Sequence, residues 1–263
     1  MRANKLRQIS TEGRLIVNGW MASPSSYMAE VMGHVGFDSV VVDMQHGMIG
    51  YDRAVAMFQA MSATPVVPMA RVASNDPALI MQLVDSGAYG VICPLVTSAD
   101  DVRRFVSACR YPPVGTRSFG PARGLLYGGP DYFDKANGEI LTFALIETAS
   151  ALTTLEEILD VPGLDGLYVG PNDLALSMGF APKLEPDQKE VLAAMERIAS
   201  LGRRAGKIVG THIVSAEATK RRLDEGFSML TPGSDVTFVN HAAAEAVGRL
   251  RPLQLNDPEQ ARR

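Results

Sequence analysis

The chain has 263 residues, with 25 Lys and Arg against 29 Asp and Glu and a formal charge of −4. That length makes one large domain or two small ones, and the mild acidity argues against nucleic-acid binding as the main role. With 46% hydrophobic and 21% charged residues, disordered and collagen-like classes are excluded, and no apolar run reaches the roughly 18 residues of a membrane helix.

In chain order, Met1-Arg2-Ala3-Asn4-Lys5 is basic but has no apolar stretch behind it, so no secretory signal is expected. The first strand-like run covers residues 15–17. Ser23 as N-cap, with Pro24 at the first helical position, then opens a helix. Further strand-like runs fall at 39–43, 66–71, 90–94, 142–147, 166–170, 207–211 and 227–231. Helices are predicted from Asp52 to Met61, from Asn75-Asp76-Pro77, from Ser98 to Ala108, and over 149–159, 186–201, 215–225 and 235–250. Gly87, Gly202 and Gly226 end several of them. Cys93 and Cys109 are too few for a disulfide framework, which predicts a cytoplasmic protein.

Eight strands alternating with helices, each a continuous apolar run, predict an α/β fold, a (β/α)8 barrel. A doubly wound dinucleotide fold would carry G-x-G-x-x-G after the first strand, where Trp20-Met21-Ala22-Ser23-Pro24 stands instead. One barrel domain is expected over 1–263, with a polar, fraying tail at 251–263. The gap between Cys93 and Thr142 is unusually long and holds a Gly-, Pro- and Arg-rich stretch at 111–124. Long connections of this kind are usually functional or disordered.

Catalysis in such a barrel sits at the C-terminal ends of the strands. The second strand ends in Asp43-Met44-Gln45-His46, the third in Arg71, the fifth in Glu147, the sixth in Gly170-Pro171-Asn172-Asp173 and the seventh in His212. Glu147 and Asp173 come from neighbouring strands, and such carboxylates repel unless a cation lies between them; Mg²⁺ or Mn²⁺ suits oxygen ligands. The alternative is that Glu147 caps one helix and Asp173 is the N-cap of the next. Asp43 near His46 suits a general base whose tautomer a carboxylate fixes; alternatively His46 sits in a turn and Asp43 caps backbone amides. Arg71 suits a carboxylate or a developing enolate oxygen, and a salt bridge to Asp43 or Glu147 is compatible with that. His34 and His241 read as structural, and neither cysteine has a CxxC partner. No lysine ends a strand, which disfavours a Schiff-base aldolase.

Residues 42–47, Arg71 with Asn75-Asp76-Pro77, Ile146-Glu147-Thr148 and residues 165–174 together resemble the HpcH/HpaI aldolase family. These are class II, metal-dependent pyruvate aldolases, among them 4-hydroxy-2-oxoheptanedioate and 2-dehydro-3-deoxyglucarate aldolases. The resemblance spans residues 14–250. It implies a phosphoenolpyruvate/pyruvate-type barrel in a homo-oligomer, a hexamer or trimer of dimers, with a C-terminal helix exchanged between subunits. It implies Glu147 and Asp173 as ligands of a divalent metal (Mg²⁺, Mn²⁺ or Co²⁺) that pyruvate chelates. It also implies pyruvate's carboxylate near the amides of Asn172 and Asp173, Arg71 on the enolate, and His46 as base through water. Asp43 would support His46, and Asp85 would raise its basicity across a subunit contact.

The same resemblance places Trp20, Ser118, Leu145 and His212 in substrate binding, with residues 115–123 near the aldehyde pocket; a connection before a strand belongs nominally to the opposite face, so this stretch must wrap over or serve a neighbouring subunit's site. Gln45 stands where many members have Glu, and Leu145 where heptanedioate-cleaving members often have Gln. His212 stands where many members are apolar; it can donate to a hydroxyl or carboxylate of the aldehyde, or merely cap the turn before Ser215. The implied activity is reversible cleavage of a 4-hydroxy-2-oxo acid to pyruvate and an aldehyde through a metal-stabilised pyruvate enolate. A citrate-lyase-like acyl-CoA lyase is an alternative; it needs a basic groove, for which Arg117 and Arg123 are the clustered candidates. A non-catalytic pyruvate- or metal-binding barrel is another. Expected partners are small molecules and copies of the chain, not nucleic acid or membrane.

Overall fold

The computed structural model describes residues 1–251, so the expected tail lies outside the described residues apart from Arg251. The chain runs α1 (Lys5–Thr11), β1 (Ile16–Met21), α2 (Ser26–His34), β2 (Ser39–Asp43), α3 (Tyr51–Met61), β3 (Val67–Arg71), α4 (Pro77–Asp85) and β4 (Gly90–Cys93). It continues through α5 (Ala99–Cys109), α6 (Ala122–Gly128), α7 (Tyr132–Glu139), β5 (Leu141–Ile146), α8 (Ala149–Thr153), α9 (Leu155–Leu159) and β6 (Gly166–Val169). The last elements are α10 (Pro171–Ser177), α11 (Lys189–Arg204), β7 (Ile208–His212), α12 (Ala216–Glu225), β8 (Met229–Thr231) and α13 (Asp235–Leu250). The strands pair in parallel and in chain order, and β8 returns to β1 to close the barrel. The expected (β/α)8 fold is the one formed.

The strands read as continuous apolar runs because each is buried on two sides. Trp20, Val41, Met69, Phe143, Tyr168 and Ile208 point into the barrel and share one core. Their chain neighbours Met21, Val42, Ala70, Ala144, Val169 and Val209 share another, beneath the helices. The period of two therefore splits each run between two cores. Glycine makes room for a bulky inner side chain: a Cβ on Gly210 would stand 2.7 Å from Tyr168 Cδ2. At the N-terminal mouth, Leu6 and Ile9 of α1 join the inner core. Asn4 Nδ2 donates to the carbonyls of Tyr89 at 2.9 Å and Glu139 at 2.8 Å. The open mouth is the C-terminal one.

Two local expectations, both helix starts, need correction. The helix expected to start at Ser23-Pro24 is capped by Ser25, whose Oγ accepts from the Met28 amide at 3.1 Å. Ser23 is taken instead by Asp235 of α13. The helix expected over 186–201 is α11 and starts at Lys189. The long connection before β5 is folded, holding α6 and α7, and its arginines make contacts within the chain. Arg117, with a fully buried side chain, pairs with Asp85 at 2.6 Å. Arg123 donates to the carbonyls of Ser86 at 2.6 Å and Phe58 at 2.9 Å. These contacts pin the segment to the C-terminal ends of α3 and α4, away from the open mouth. Ser118 within it is exposed.

Candidate active site

Carried to the strand ends, the inward series reaches Trp20 on β1, Asp43 on β2, Arg71 on β3, Glu147 after β5, Gly170 after β6 and His212 on β7. All line a cleft of about 320 Å³ with His46, Asn172 and Asp173. The candidate residues at the strand ends thus sit where the barrel's own packing would next place a core side chain.

Asp43 and Arg71 are paired in register across β2 and β3. The carboxylate accepts from Arg71 Nε at 2.9 Å and Nη2 at 2.6 Å, a bidentate clamp. It also accepts from Trp20 Nε1 at 3.2 Å and from the backbone amides of Gln45 at 3.1 Å and His46 at 3.3 Å. Burial pulls this carboxyl upward, but the bonds from Arg71, Trp20 and the His46 amide outweigh it and hold its pKa below the usual range. The expected support of His46 by Asp43 therefore takes another form. Asp43 grips the backbone of the His46 turn and the side chain of Arg71, not the imidazole. The neighbouring strand end supplies a stronger partner than the turn does. His46 itself is exposed toward the cleft.

Glu147 is 1% exposed. Its Oε1 accepts from the Leu95 amide at 2.7 Å. Leu95 has φ +55°, a left-handed conformation rare for leucine and a mark of functional corners. Burial pushes the Glu147 carboxyl up to about 7; the Asp173 charge adds to this, while the Leu95 amide and Arg71 oppose it. Neither helix-capping alternative holds. Thr148 caps α8 with its own hydroxyl, and Asp173 is the third residue of α10 because Gly170 is the N-cap and Pro171 comes first. Both carboxylates are therefore free of capping duty. A Cβ on Gly170 would stand 2.9 Å from Glu147 Oε2, so glycine keeps the space beside that oxygen clear. Oε2 has no protein donor among the described residues. A buried carboxyl with an open oxygen next to a second carboxylate fits a hard divalent cation. No group of three or more His, Cys, Asp or Glu suited to a metal occurs among the described residues. Water and substrate would supply the other ligands, which suits Mg²⁺.

His212 packs edge-on against Trp20 at 4.7 Å between ring centroids. Its Nδ1 lies 3.1 Å from Tyr168 Oη. Ser215 caps α12 by itself, without His212. Leu145 is buried inside the barrel, Ser118 lies on the flank, and Asp85 is held by Arg117; none of the three lines the cleft of its own chain. Sequence reasoning missed the Leu95 amide, which no side-chain pattern betrays. It also missed Asp235, which it read only as a helix start. Asp235 accepts from the Ala22 amide at 2.8 Å and the Ser23 amide at 3.2 Å, fixing the β1–α2 loop at the rim.

These features define a (β/α)8 enzyme with a carboxylate pair and a clamped arginine at one mouth. The chain belongs to the HpcH/HpaI aldolase/citrate lyase family, which it matches over residues 17–242. It is 37% identical over 250 residues to hydroxypyruvate/pyruvate aldolase of Rhizorhabdus wittichii, covering 95% of this chain and 100% of that one. It is 36% identical over 249 residues to 4-hydroxy-2-oxo-heptane-1,7-dioate aldolase of Shigella flexneri, covering 94% and 92%. A family protein of Burkholderia cenocepacia superposes with a TM-score of 0.87 at 28% identity, covering 95% and 100%.

Proposed function

We propose that the chain is a carbon–carbon lyase, an aldolase that reversibly cleaves a 4-hydroxy-2-oxo acid to pyruvate and an aldehyde. The carrying observation is Arg71, clamped by Asp43 beside the Glu147–Asp173 pair within one cleft. The aldolase names of relatives that align along nearly their whole length support the same reading. Glu147 and Asp173 would hold a divalent cation, Mg²⁺ or Mn²⁺. When bound, that cation supplies a Lewis acid to the oxygens of a 2-oxo acid.

The residues divide the remaining work. Arg71 donates to the oxygen on which negative charge develops, and its clamp removes reorganisation from that step. The first-turn amides of Asn172 and Asp173 have no intrahelical acceptor and are offered to the substrate carboxylate. His46 accepts the proton of the 4-hydroxyl, through water, as the C3–C4 bond breaks, and returns it to C3. Trp20 forms a wall beneath Arg71, whose guanidinium lies 5.0 Å from the ring centroid.

Oligomerisation belongs to this proposal. Tyr111, Phe119 and Phe133 form an aromatic cluster in which Phe119 is 65% and Phe133 52% exposed, a surface suited to a second copy. Asp85 would meet His46 of the partner subunit in such an assembly. No helix among the described residues is long and apolar enough to cross a membrane, which is in keeping with the cytoplasmic site we propose. A citrate-lyase-like activity is disfavoured because Arg117 and Arg123 are spent on internal bonds and leave no basic groove there.

Pyruvate release coupled to lactate dehydrogenase tests the reading. Activity should vanish with chelator and return with Mg²⁺ or Mn²⁺. Full activity in chelator would overturn the metal assignment, and no pyruvate from any 4-hydroxy-2-oxo acid would overturn the aldolase. Arg71→Lys should be poor in both release and pyruvate methyl-proton exchange, because lysine cannot reproduce the planar fork.

A further inference from the structure

A line of five polar side chains crosses the otherwise apolar barrel interior and ends on His212. Ser39 Oγ lies 2.7 Å from Asn18 Oδ1, and Asn18 Nδ2 lies 2.8 Å from Thr231 Oγ1. Thr231 Oγ1 lies 2.6 Å from Tyr168 Oη, which lies 3.1 Å from His212 Nδ1. Strand register builds the line: Asn18 faces Ser39 across β1 and β2, and His212 faces Thr231 across β7 and β8. Ser39, Asn18 and Thr231 have no exposed surface, and Tyr168 is 1% exposed.

Counting donors and acceptors assigns a direction. Ser39 must place its hydroxyl proton, and among the described residues Asn18 Oδ1 is the side-chain acceptor that it reaches. That orients the amide, so Nδ2 donates to Thr231. Thr231 passes its own proton toward Tyr168, and Tyr168 donates to His212 Nδ1. Reversing the line strands a buried hydroxyl proton, an arrangement native interiors avoid. With Nδ1 accepting, a neutral imidazole carries its proton on Nε2. Nε2 has no protein partner among the described residues and is not a buried orphan, and His212 lines the cleft. Burial and the charge of Arg71 push this imidazole down to about 4, so it is neutral at neutral pH.

We propose that this interior line locks His212 as a fixed Nε2–H donor that selects aldehydes bearing an oxygen acceptor, a hydroxyl or carboxylate, over alkyl aldehydes. The proposal rests on the aldolase reading and deepens it. His212 makes the contact, while Tyr168, Thr231 and Asn18 are positioning residues. A site with a committed buried donor discriminates against a partner that cannot accept from it.

Long-range ¹⁵N–¹H spectra of the imidazoles, with the His212→Asn variant assigning the signal, read the tautomer directly. The proton should sit on Nε2 and stay there from about pH 6 to about pH 9. A proton on Nδ1, or titration within that window, would overturn the proposal. Tyr168→Phe should release the tautomer. In steady-state synthesis from pyruvate, the ratio of kcat/KM for glycolaldehyde to that for propanal should fall severalfold to about tenfold in both Tyr168→Phe and His212→Leu. The ratio cancels any general loss of activity or of folded protein. An unchanged ratio in either variant overturns the assignment. Deuterium exchange into the pyruvate methyl group by the wild-type enzyme, without aldehyde, tests the aldolase reading separately. Absence of exchange sinks that reading, while the spectra still decide the tautomer.

Discussion

Glu147 carries two opposed demands, burial and charge. Its folded value of about 7 lies above the ordinary 4.5. A carboxyl so raised binds its proton more tightly folded than unfolded, so its contribution is present below 4.5 and is lost as pH rises through 7. At about 1.4 kcal/mol per unit, the loss is on the order of 3 kcal/mol. A cation on the carboxylate offsets it. Without metal, Glu147 should therefore lower the melting temperature between about pH 5 and about pH 8, and Mn²⁺ should raise it more at the higher pH. Glu147→Gln should flatten both responses. Equal Mn²⁺ shifts at the two pH values would count against a metal on this carboxylate. His46→Ala should cost about 10²–10⁴-fold in cleavage while leaving the Mn²⁺ shift in place; an undiminished rate would return His46 to a turn residue. At this scale the sequence was most informative where a polar residue ended an apolar run, as at Asp43, Arg71 and Glu147. It could not say that Asp43 would choose Arg71 over the imidazole, because that choice depends on register between two strands. Nor could it reveal the Leu95 amide, which belongs to the backbone.

Elements were legible where one signal had one reading. Asp76-Pro77 caps α4, Ser98 caps α5 and Ser215 caps α12, as expected. Two serines compete ahead of α2, and Ser25 wins because Asp235, distant in sequence, claims Ser23. The Arg-rich stretch was ambiguous for a related reason. Arginines suited to an anion are equally suited to helix-end carbonyls and to Asp85, and only packing decides. Inner glycines are invisible to pattern reading yet set the strand faces. Gly210→Ala places a Cβ 2.7 Å from the Tyr168 ring in a closed interior. Overpacking of this kind costs about 1–3 kcal/mol, so the urea midpoint should fall with an unchanged slope. A midpoint equal to wild type would mean that the inner core yields at Tyr168.

For the whole molecule, the count of eight strands was enough to predict closure, since parallel strands linked by helices bury both faces best in a barrel. What the count could not show was that α1 seals one end. Leu6 is fully buried there. Leu6→Ala should cost about 2–5 kcal/mol yet leave pyruvate proton exchange by the folded enzyme intact, because α1 contributes nothing to the cleft; loss of exchange at full folding would show that the two ends are coupled. The seal also governs traffic. A barrel with a closed floor is a vessel with one doorway, so substrate and both products pass the same rim. Pyruvate would lie against Arg71 and Glu147, at the inner limit of that passage, and the aldehyde would stand between it and the exit. Release should then be ordered, aldehyde first. Product inhibition follows from that order: pyruvate competes with the 4-hydroxy-2-oxo acid, whereas the aldehyde gives mixed inhibition.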